Sequence, residues 1–487
     1  MSILKVILVF LVVLILSASV MQSAMHFVKE RELKGYFRKT EPPRLKLFTW
    51  KKWFSATFQD EMTNRINENT GFWNSMIRIS NQADFSLWGI THAKGWMLGK
   101  QRYLYEEDYI HEYTGEYFIG KKVIDRKLSR LKNVADSLAS YNIPLVLVFE
   151  SGKASIYPEY IPGRMHPEKR SLTNYEYYIS RAAAIGLPIL DIDAWFQRIK
   201  DTASFPLFPR YGMHWSMYGV HLVADTLSKY LAAKYGKPMP EFKIHQMHQS
   251  GNSLWTDYDI GELLNLVCPL QPTPGGYPMV AFNKIPYGTM SALVVADSYY
   301  ITLTETYGRK MFGNQEYWYY NNKLYPNQNN DPPQYVDKSD LLNKLKKRDI
   351  ILLMTSEINL HSGFWNFADE AFLAFHPEIK DPYVYGIENS IRNDRDWFRF
   401  LVKKSRLQGR PLEEMISEDA DYTFNSNYDA IQNKTYWDTV YHLAYDIKNN
   451  ADWFAQVEKK AQKFNISTDS MLMLDAIYSY RQSKKNH

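Results

Sequence analysis

Apolar residues recur along this chain in two periods, one helical and one extended. Between 121 and 141, Val123, Ile124, Leu128, Leu131, Val134, Ala135 and Leu138 form one helical stripe. Directly afterwards, 144–149 is a continuous apolar run of the kind buried on both faces of a parallel sheet. The pairing repeats. A helical pattern over 173–185 leads to the apolar run 187–192, a helix over 216–235 precedes a strand over 293–296, and a helix over 341–346 leads to a strand over 349–354. Helices alternating with short apolar strands predict an α/β layer sandwich around a mostly parallel sheet.

The flanks read differently. Within 45–82, Trp53, Phe54, Phe58, Met62 and Ile66 have helical spacing, and Met76, Ile77 and Ile79 suggest a second short helix after Gly71. The segment 88–104, with glycines at 89, 95 and 99, predicts a hairpin whose edge strand is Gly95-Trp96-Met97-Leu98. Long loops are expected at 269–286 and 325–335. Beyond 376 strand patterns fade, and 387–487 reads as successive amphipathic helices, including Trp397-Phe398-Phe400-Leu401 and the stretch 471–480.

The N-terminus changes the picture most. Val6 to Leu16 is an unbroken aliphatic run after Lys5, and Ser17-Ala18-Ser19 offers small residues for cleavage. Read on to Val28, the apolar span exceeds twenty residues, enough for a bilayer core of ~30 Å. Lys29, Arg31, Lys34, Arg38 and Lys39 follow it, a distribution that by itself opposes export of what comes after. The expectation is nevertheless an uncleaved signal anchor, or a cleaved signal, over 1–28, with the bulk of the chain outside the cytoplasm. The expected organisation is 1–28 anchor or signal peptide, 45–375 α/β domain, and 376–487 α-helical C-terminal extension.

Charge adds an exclusion. Lysine and arginine number 58 against 53 acids, a net +5 over 487 residues with no long basic block, so nucleic acid is not an expected partner. Cys268 is the only cysteine, so no intramolecular disulfide forms. Thirty-six Tyr and thirteen Trp are core material or sugar-stacking surfaces. His92 and the His245/His248 pair lack partners at metal-ligand spacing, and no phosphate-binding glycine loop is present. No metal and no cofactor are expected.

Two short motifs carry the chemistry. Ala292-Leu293-Val294-Val295-Ala296-Asp297-Ser298-Tyr299 is an apolar strand that stops at a serine, and Gly212-Met213-His214-Trp215-Ser216 supplies a histidine just before a helix. A serine hydroxyl is a poor nucleophile until a neighbouring imidazole takes its proton. Ser298 and His214 are therefore the candidate nucleophile and base, with Trp215 packing the imidazole. In open α/β sheets ligands bind at the carboxyl ends of strands. Glu150, Ser151, Lys153, Asp191, Asp193, Asp297, Ser298 and the segment 355–359 all follow strand ends and are candidates for one rim.

Lys153 followed by Ile156-Tyr157-Pro158-Glu159-Tyr160-Ile161-Pro162, His214-Trp215 with Tyr218-Gly219, and Asp297-Ser298-Tyr299 resemble motifs of one family. The chain is similar over roughly 50–370 to AlgX/AlgJ-type proteins, SGNH-hydrolase-like O-acetyltransferases of the alginate type. Phe72-Trp73 and Gly95-Trp96-Met97-Leu98 fit the same pattern. The resemblance implies an SGNH-hydrolase-like sandwich with Ser298 as nucleophile and His214 as base. In that family the motif is Asp-x-His-Trp and the aspartate completes a triad, whereas this chain has Gly212 at that position. Asp191, Asp193, Asp257, Asp259, Glu150 and Glu357 are candidates for a replacement acid; Asp297, adjacent to the nucleophile, is disfavoured because neighbours at a strand end point apart. Lys153 is either a solvated loop lysine or a cation near the oxyanion or an acidic glycan. Asn359 is either an oxyanion donor or a cap or turn residue, and Tyr299 and Trp215 are possible substrate contacts.

The function implied is an extracytoplasmic O-acyltransferase, most simply an acetyltransferase, acting on a cell-envelope or exported polysaccharide. The resemblance also implies a multipass membrane-bound O-acyltransferase as acyl donor, with the N-terminal helix holding the protein at the inner membrane. A carbohydrate esterase of the same fold, and a non-catalytic glycan-binding or assembly subunit of a polysaccharide export system, are the alternatives.

Overall fold

A computed structural model describes residues 3–35, 53–54, 58–59, 62–63, 70–165, 170–271, 273–282, 289–325, 334–379, 383–426, 434–464 and 466–485. Most of the helix expected from 45 onward, and most of the loop expected at 325–335, lie outside them.

Ten strands are found among the described residues: β1 (Trp96–Leu98), β2 (Leu104–Glu106), β3 (Leu145–Glu150), β4 (Ile189–Asp191), β5 (Phe242–Ser250), β6 (Gly275–Phe282), β7 (Ser291–Ala296), β8 (Asn314–Tyr319), β9 (Lys323–Tyr325) and β10 (Ile350–Ser356). Six of them form the central sheet in the order β4-β3-β10-β7-β8-β9. Every pair in it is parallel except β8 with β9 at one edge. The expected α/β layering around a mostly parallel sheet is present, with one antiparallel pair at the edge.

The three central strands are apolar runs because both their faces are covered. Strict alternation sends their side chains to opposite sides. Val146 and Val148, Ala292 and Val294, and Ile350, Leu352 and Met354 enter one core, which the helix Met217–Tyr235 covers with Val220, Val223, Ala224, Leu227 and Leu231. Leu145, Leu147 and Phe149, Leu293 and Val295, and Ile351 and Leu353 enter the other. There the helix Lys121–Ala139 lays down the stripe read from its sequence, joined by Phe367, Ala368 and Ala371 of the helix Phe367–Phe375. A one-residue slip would invert every one of these side chains, so the pattern sets the register as well as the fold.

Four expectations need correction. The short helix after Gly71 is a 16-residue helix, Trp73–Trp88, entered through Phe72 at φ 64° and closed by Gly89 at φ 68°. The hairpin expected over 88–104 consequently starts later and pairs β1 with β2. The loop expected over 269–286 contains β6, which pairs antiparallel with β5 as a two-stranded ribbon. β5, Phe-Lys-Ile-His-Gln-Met-His-Gln-Ser, is largely exposed, so it shows no apolar alternation to betray it. β8 and β9 were not anticipated either, because Asn-Gln-Glu-Tyr-Trp-Tyr gains its apolar environment only by joining β7.

Past the sheet the chain is helical: Tyr383–Asn393, Arg395–Gln408, Leu412–Ser426, Lys434–Asn449, Ala451–Phe464 and Thr468–Lys485. Ile391, Phe398, Leu401, Leu412 and Ile416 join the second core directly. Val440, Ile447, Val457, Met471 and Ala476 build a core of their own. Arg395 and Arg399 reach back to Asp108, and Arg395 also to Glu106, so these helices wall the carboxyl end of the sheet.

The helix Ile3–Met25 runs 23 residues, about 35 Å at 1.5 Å per residue. Several of its side chains lie outside the described residues, and among the described residues no helix is long and apolar enough to cross a membrane. The anchor expected over 1–28 is therefore not shown.

Candidate active site

β3, β10 and β7 end side by side, with Glu150 opposite Ser356 and Ala296 opposite Met354. Asp297, the residue after β7, ties two of these ends together. Its buried Oδ2 accepts hydrogen bonds from the Ser356 N–H (2.9 Å), the Ser356 hydroxyl (2.6 Å) and the Asn359 amide (2.8 Å), while Oδ1 accepts from the Tyr299 N–H (3.0 Å). Ser298 thus stands on a turn whose backbone is pinned on both sides, at the start of the helix Tyr299–Leu303.

His214 comes from the loop that precedes the helix Met217–Tyr235. Ser216 caps that helix by accepting from the Gly219 N–H at 3.0 Å, and this starts the helix three residues after the histidine. Trp215 is fully buried and donates its indole N–H to Ser151 Oγ at 3.2 Å. The Tyr299 ring lies edge-on to both His214 (4.9 Å between centroids) and Trp215 (5.0 Å). Tyr299 and Trp215 therefore hold the imidazole rather than offering themselves to substrate. His214 Nε2 lies 3.0 Å from Ser298 Oγ.

The other ring nitrogen, Nδ1, makes no hydrogen bond, and the carboxylate within reach is Asp259, whose Oδ2 is 3.5 Å away. Asp259 opens the short helix Asp259–Leu263, and its Oδ1 accepts from the N–H groups of Met213 (3.1 Å) and Ile260 (2.7 Å). The acid is thereby fastened to the residue next to the histidine.

The remaining acid candidates are placed elsewhere. Asp257 receives the Met217 N–H (3.3 Å) and the Tyr277 hydroxyl (3.0 Å), and burial, only partly offset by those bonds, pushes its carboxyl up to about 7. Asp191 caps the helix Ile192–Ile199 through the Ala194 N–H (2.9 Å). Asp193 bonds Gln197 at 2.5 Å, and burial together with Glu357 pushes its carboxyl far up. Glu357 accepts from the Gly152 N–H at 2.8 Å and from Ser155. Glu150 is fully buried, and burial and the neighbouring Asp297 raise its carboxyl well above the ordinary range. None of these five touches His214.

Both readings of Lys153 are corrected. It is neither solvated nor aimed at a reacting centre: its buried ammonium donates to the carbonyls of Leu104 (3.0 Å) and Gly212. Burial lowers it to about 7, against the pull of Asp259 and Asp257. It positions the loop that carries His214. Asn359 lines the same cavity as Ser298, but its amide N–H groups are engaged by Asp297 and Ser356 (3.1 Å), so it is not a free oxyanion donor.

Gly212 is explained by the same geometry. A Cβ there would lie 2.4 Å from the Thr256 carbonyl oxygen and 2.6 Å from Pro209 Cγ. The segment that brings Asp257 and Asp259 occupies the room an aspartate at 212 would need. Gly212→Asp is accordingly expected to lower stability by about 1–3 kcal/mol, as overpacking does, and to push Asp259 away from His214. A melting temperature at the wild-type value would refute this account.

Ser298 opens on a cavity of about 490 Å³, whose wall includes Met213, Tyr109, Tyr320, Asn321, Trp365 and the C-terminal Arg395. The aromatic and amide part of this wall was not legible in the sequence, since it depends on β8, β9 and a loop after β10 coming together. A serine hydroxyl beside an imidazole, with a carboxylate behind the ring and open space in front, is an arrangement for nucleophilic acyl chemistry.

Residues 97–279 match the model of a family described as "SGNH hydrolase-like domain, acetyltransferase AlgX"; the match takes in His214 and Asp259 and ends before Ser298. A "probable alginate O-acetylase AlgJ" of Azotobacter vinelandii is 26% identical over 145 residues, 30% of this chain and 35% of the relative. The chain thus spans about a third of the length of that curated relative. Among solved structures, the O-acetyltransferase domain of Pseudomonas putida AlgJ is 18% identical, covers 55% of this chain and 92% of its own, and has a TM-score of 0.35. Pseudomonas aeruginosa AlgX is 13% identical, covers 57% and 67%, with a TM-score of 0.38. Bacillus cereus PatB1 is 11% identical, covers 54% and 96%, with a TM-score of 0.35.

Proposed function

We propose that this chain, which carries an AlgX/AlgJ-type SGNH-hydrolase-like domain, is an extracytoplasmic O-acyltransferase that moves an acyl group, most simply acetyl, onto a hydroxyl of an exported polysaccharide. One observation carries the reading: Ser298 Oγ lies 3.0 Å from His214 Nε2, at the mouth of a cavity. With its proton on Nδ1, facing Asp259, the imidazole presents a lone pair at Nε2 to the serine hydroxyl. His214 takes the Ser298 proton as Oγ attacks the acyl carbonyl of the donor, and returns that proton to the departing group. In the second half the imidazole deprotonates a sugar hydroxyl, which attacks the acyl-serine, and Ser298 leaves with the proton. Asp259 stabilises the imidazolium in both halves. The Ser298 backbone N–H, at the start of the following helix, is the proposed oxyanion donor.

Water in place of the sugar hydroxyl would make the protein an esterase. The polar, walled cavity supports transfer, since it offers room for an acceptor beside the acyl-serine. Rapid mixing with 4-nitrophenyl acetate tests the reading: a burst of nitrophenolate with acetyl on the Ser298 peptide is expected, and an inert serine would leave only the glycan-binding subunit.

An exported enzyme has no access to cytoplasmic acyl-CoA. A multipass membrane-bound O-acyltransferase is the proposed donor, and the apolar helix Ile3–Met25 the proposed inner-membrane anchor that keeps the two close. Deleting 3–25 should shift the protein from the membrane pellet to the soluble fraction. Retention in a carbonate-washed pellet would count against the anchor.

A further inference from the structure

We infer that the part of the cavity formed by Tyr320, Asn321, Trp365 and Asn366 is a subsite for an uncharged sugar segment of the acceptor. This deepens the acyltransfer reading and rests on it for the word acceptor, but the subsite itself is argued from four independent features.

The first is strain. Tyr320 and Asn321, in the turn joining β8 to β9, have φ of 51° each, and Phe364, Trp365 and Asn366 follow Gly363 with φ of 58°, 52° and 65°. Bulky aromatic residues rarely adopt the left-handed region, and such outliers persist only where the surroundings impose them. Here two left-handed runs face each other. Asn321 Nδ2 donates to the Trp365 carbonyl (2.9 Å) and to Glu370 (2.8 Å), clamping one run to the other.

The second is the surface this strain presents. The Tyr320 ring lies 4.3 Å from Tyr319 and 5.3 Å from Trp365 between centroids, giving a rigid aromatic corner on the cavity wall. An aromatic face takes the C–H face of a pyranose ring while hydroxyls at the ring edge reach polar neighbours. The corner is also tied to the nucleophile's strand, since the Tyr320 N–H donates to the Ala296 carbonyl (2.9 Å), two residues before Ser298.

The third is an unmet hydrogen-bonding demand. Asn321 is 1% exposed and lines the cavity, yet its Oδ1 accepts no hydrogen bond, and the buried Oδ1 of Asn366 accepts none either. Because both acceptors of the Asn321 amide N–H groups are oxygens, the orientation of that amide is determined, and its Oδ1 is left as an unpaired acceptor on a residue that lines the cavity. Buried acceptors are ordinarily paired. The complement to two amide oxygens is a pair of hydroxyl donors, not a carboxylate.

The fourth is charge. Lys338, Arg392, Arg395 and Arg399 line the cavity, and each is already ion-paired: Lys338 with Glu370, Arg392 with Glu388, Arg395 with Glu106 and Asp108, and Arg399 with Asp108. Glu106, Asp108, Glu370 and Asp469 stand on the same wall. A polyuronate, carrying one carboxylate per ring, meets no unpaired lysine or arginine on this wall among the described residues.

Calorimetric titration of the full chain tests the subsite, using four hexasaccharides as probes: β-1,4-glucan, β-1,4-xylan, chitin type and β-1,4-mannuronate. At least one of the three neutral hexamers should bind more tightly than the mannuronate hexamer. Its Kd should weaken at least tenfold in Trp365→Ala and recover to within threefold of wild type in Trp365→Phe. Tyr320→Ala supplies the same readout if Trp365→Ala does not fold. Failure of all three neutral hexamers to bind, preference for mannuronate, or less than tenfold weakening in the folded alanine variant would each overturn the inference. Acetyl-serine formation is measured separately with 4-nitrophenyl acetate. Binding without it leaves the subsite standing and removes the acyltransferase, whereas acetyl-serine without neutral-glycan binding does the reverse.

Discussion

Ser298→Ala protein mixed with 4-nitrophenyl acetate will release no burst of nitrophenolate, and acyl transfer will fall by about 10⁶-fold, the order seen when the nucleophile of a serine triad is removed. The serine does one thing in this structure. It stands half-buried at the end of β7 with its hydroxyl against His214, and its packing role is small. The turn beneath it is held by Asp297, which keeps its bonds to Ser356, Asn359 and the Tyr299 N–H in the variant. Stability should therefore change by no more than about 0.5 kcal/mol. His214→Ala should reproduce the loss, and the double variant should be no worse than either single one, because the two residues act as one unit. Undiminished sugar acetylation by a folded Ser298→Ala protein would remove Ser298 from the mechanism.

Asp259→Asn should slow acylation by about 10³–10⁴-fold, near the cost of the same change in a serine-protease triad. In the proposed mechanism the carboxylate orients the imidazole by facing Nδ1 and stabilises the imidazolium; an amide can present its N–H to Nδ1 and favour the tautomer that has no lone pair for the serine. The 3.5 Å separation leaves room for a small rotation that closes the hydrogen bond once substrate is bound. Asp257 is the internal control. It lies two residues away in the same segment, but its oxygens face Met217 and Tyr277. Asp257→Asn should cost stability rather than rate, with acylation within about tenfold of wild type. If the two asparagine variants slowed acylation equally, the assignment of Asp259 as the orienting acid would be lost.

The two expectations differ in how visible their residues were along the chain. Ser298 and His214 stand out because each sits at a boundary that hydrophobic periodicity reveals: the end of an apolar strand and the short segment leading into a helix. Asp259 was one acid among six. Nothing near Asp257-Tyr258-Asp259 marks one carboxylate as facing the imidazole and the other as facing a helix start. That division arises because the Thr256 carbonyl packs against Gly212 and brings the chain in at one particular angle. Lys153 illustrates the opposite error. A lysine in a loop is ordinarily solvated, and only the tertiary environment shows this one buried beneath the histidine loop, bonding two carbonyls.

What the sequence by itself determined is the layered core and the two ends of the hydrogen bond between Ser298 and His214. Runs such as 145–149, 292–296 and 350–354 are apolar at every position, which only a strand covered on both sides satisfies, and period-two alternation then assigns each side chain to a face. Local physics suffices there, because burial and periodicity are written residue by residue. The tertiary structure alone decided which acid stands behind the imidazole, that β8 and β9 extend the sheet, and that C-terminal helices wall the cavity. Each of these depends on contacts between segments tens to hundreds of residues apart, whose own composition is polar or ambiguous and so carries no local trace of the partner it will meet.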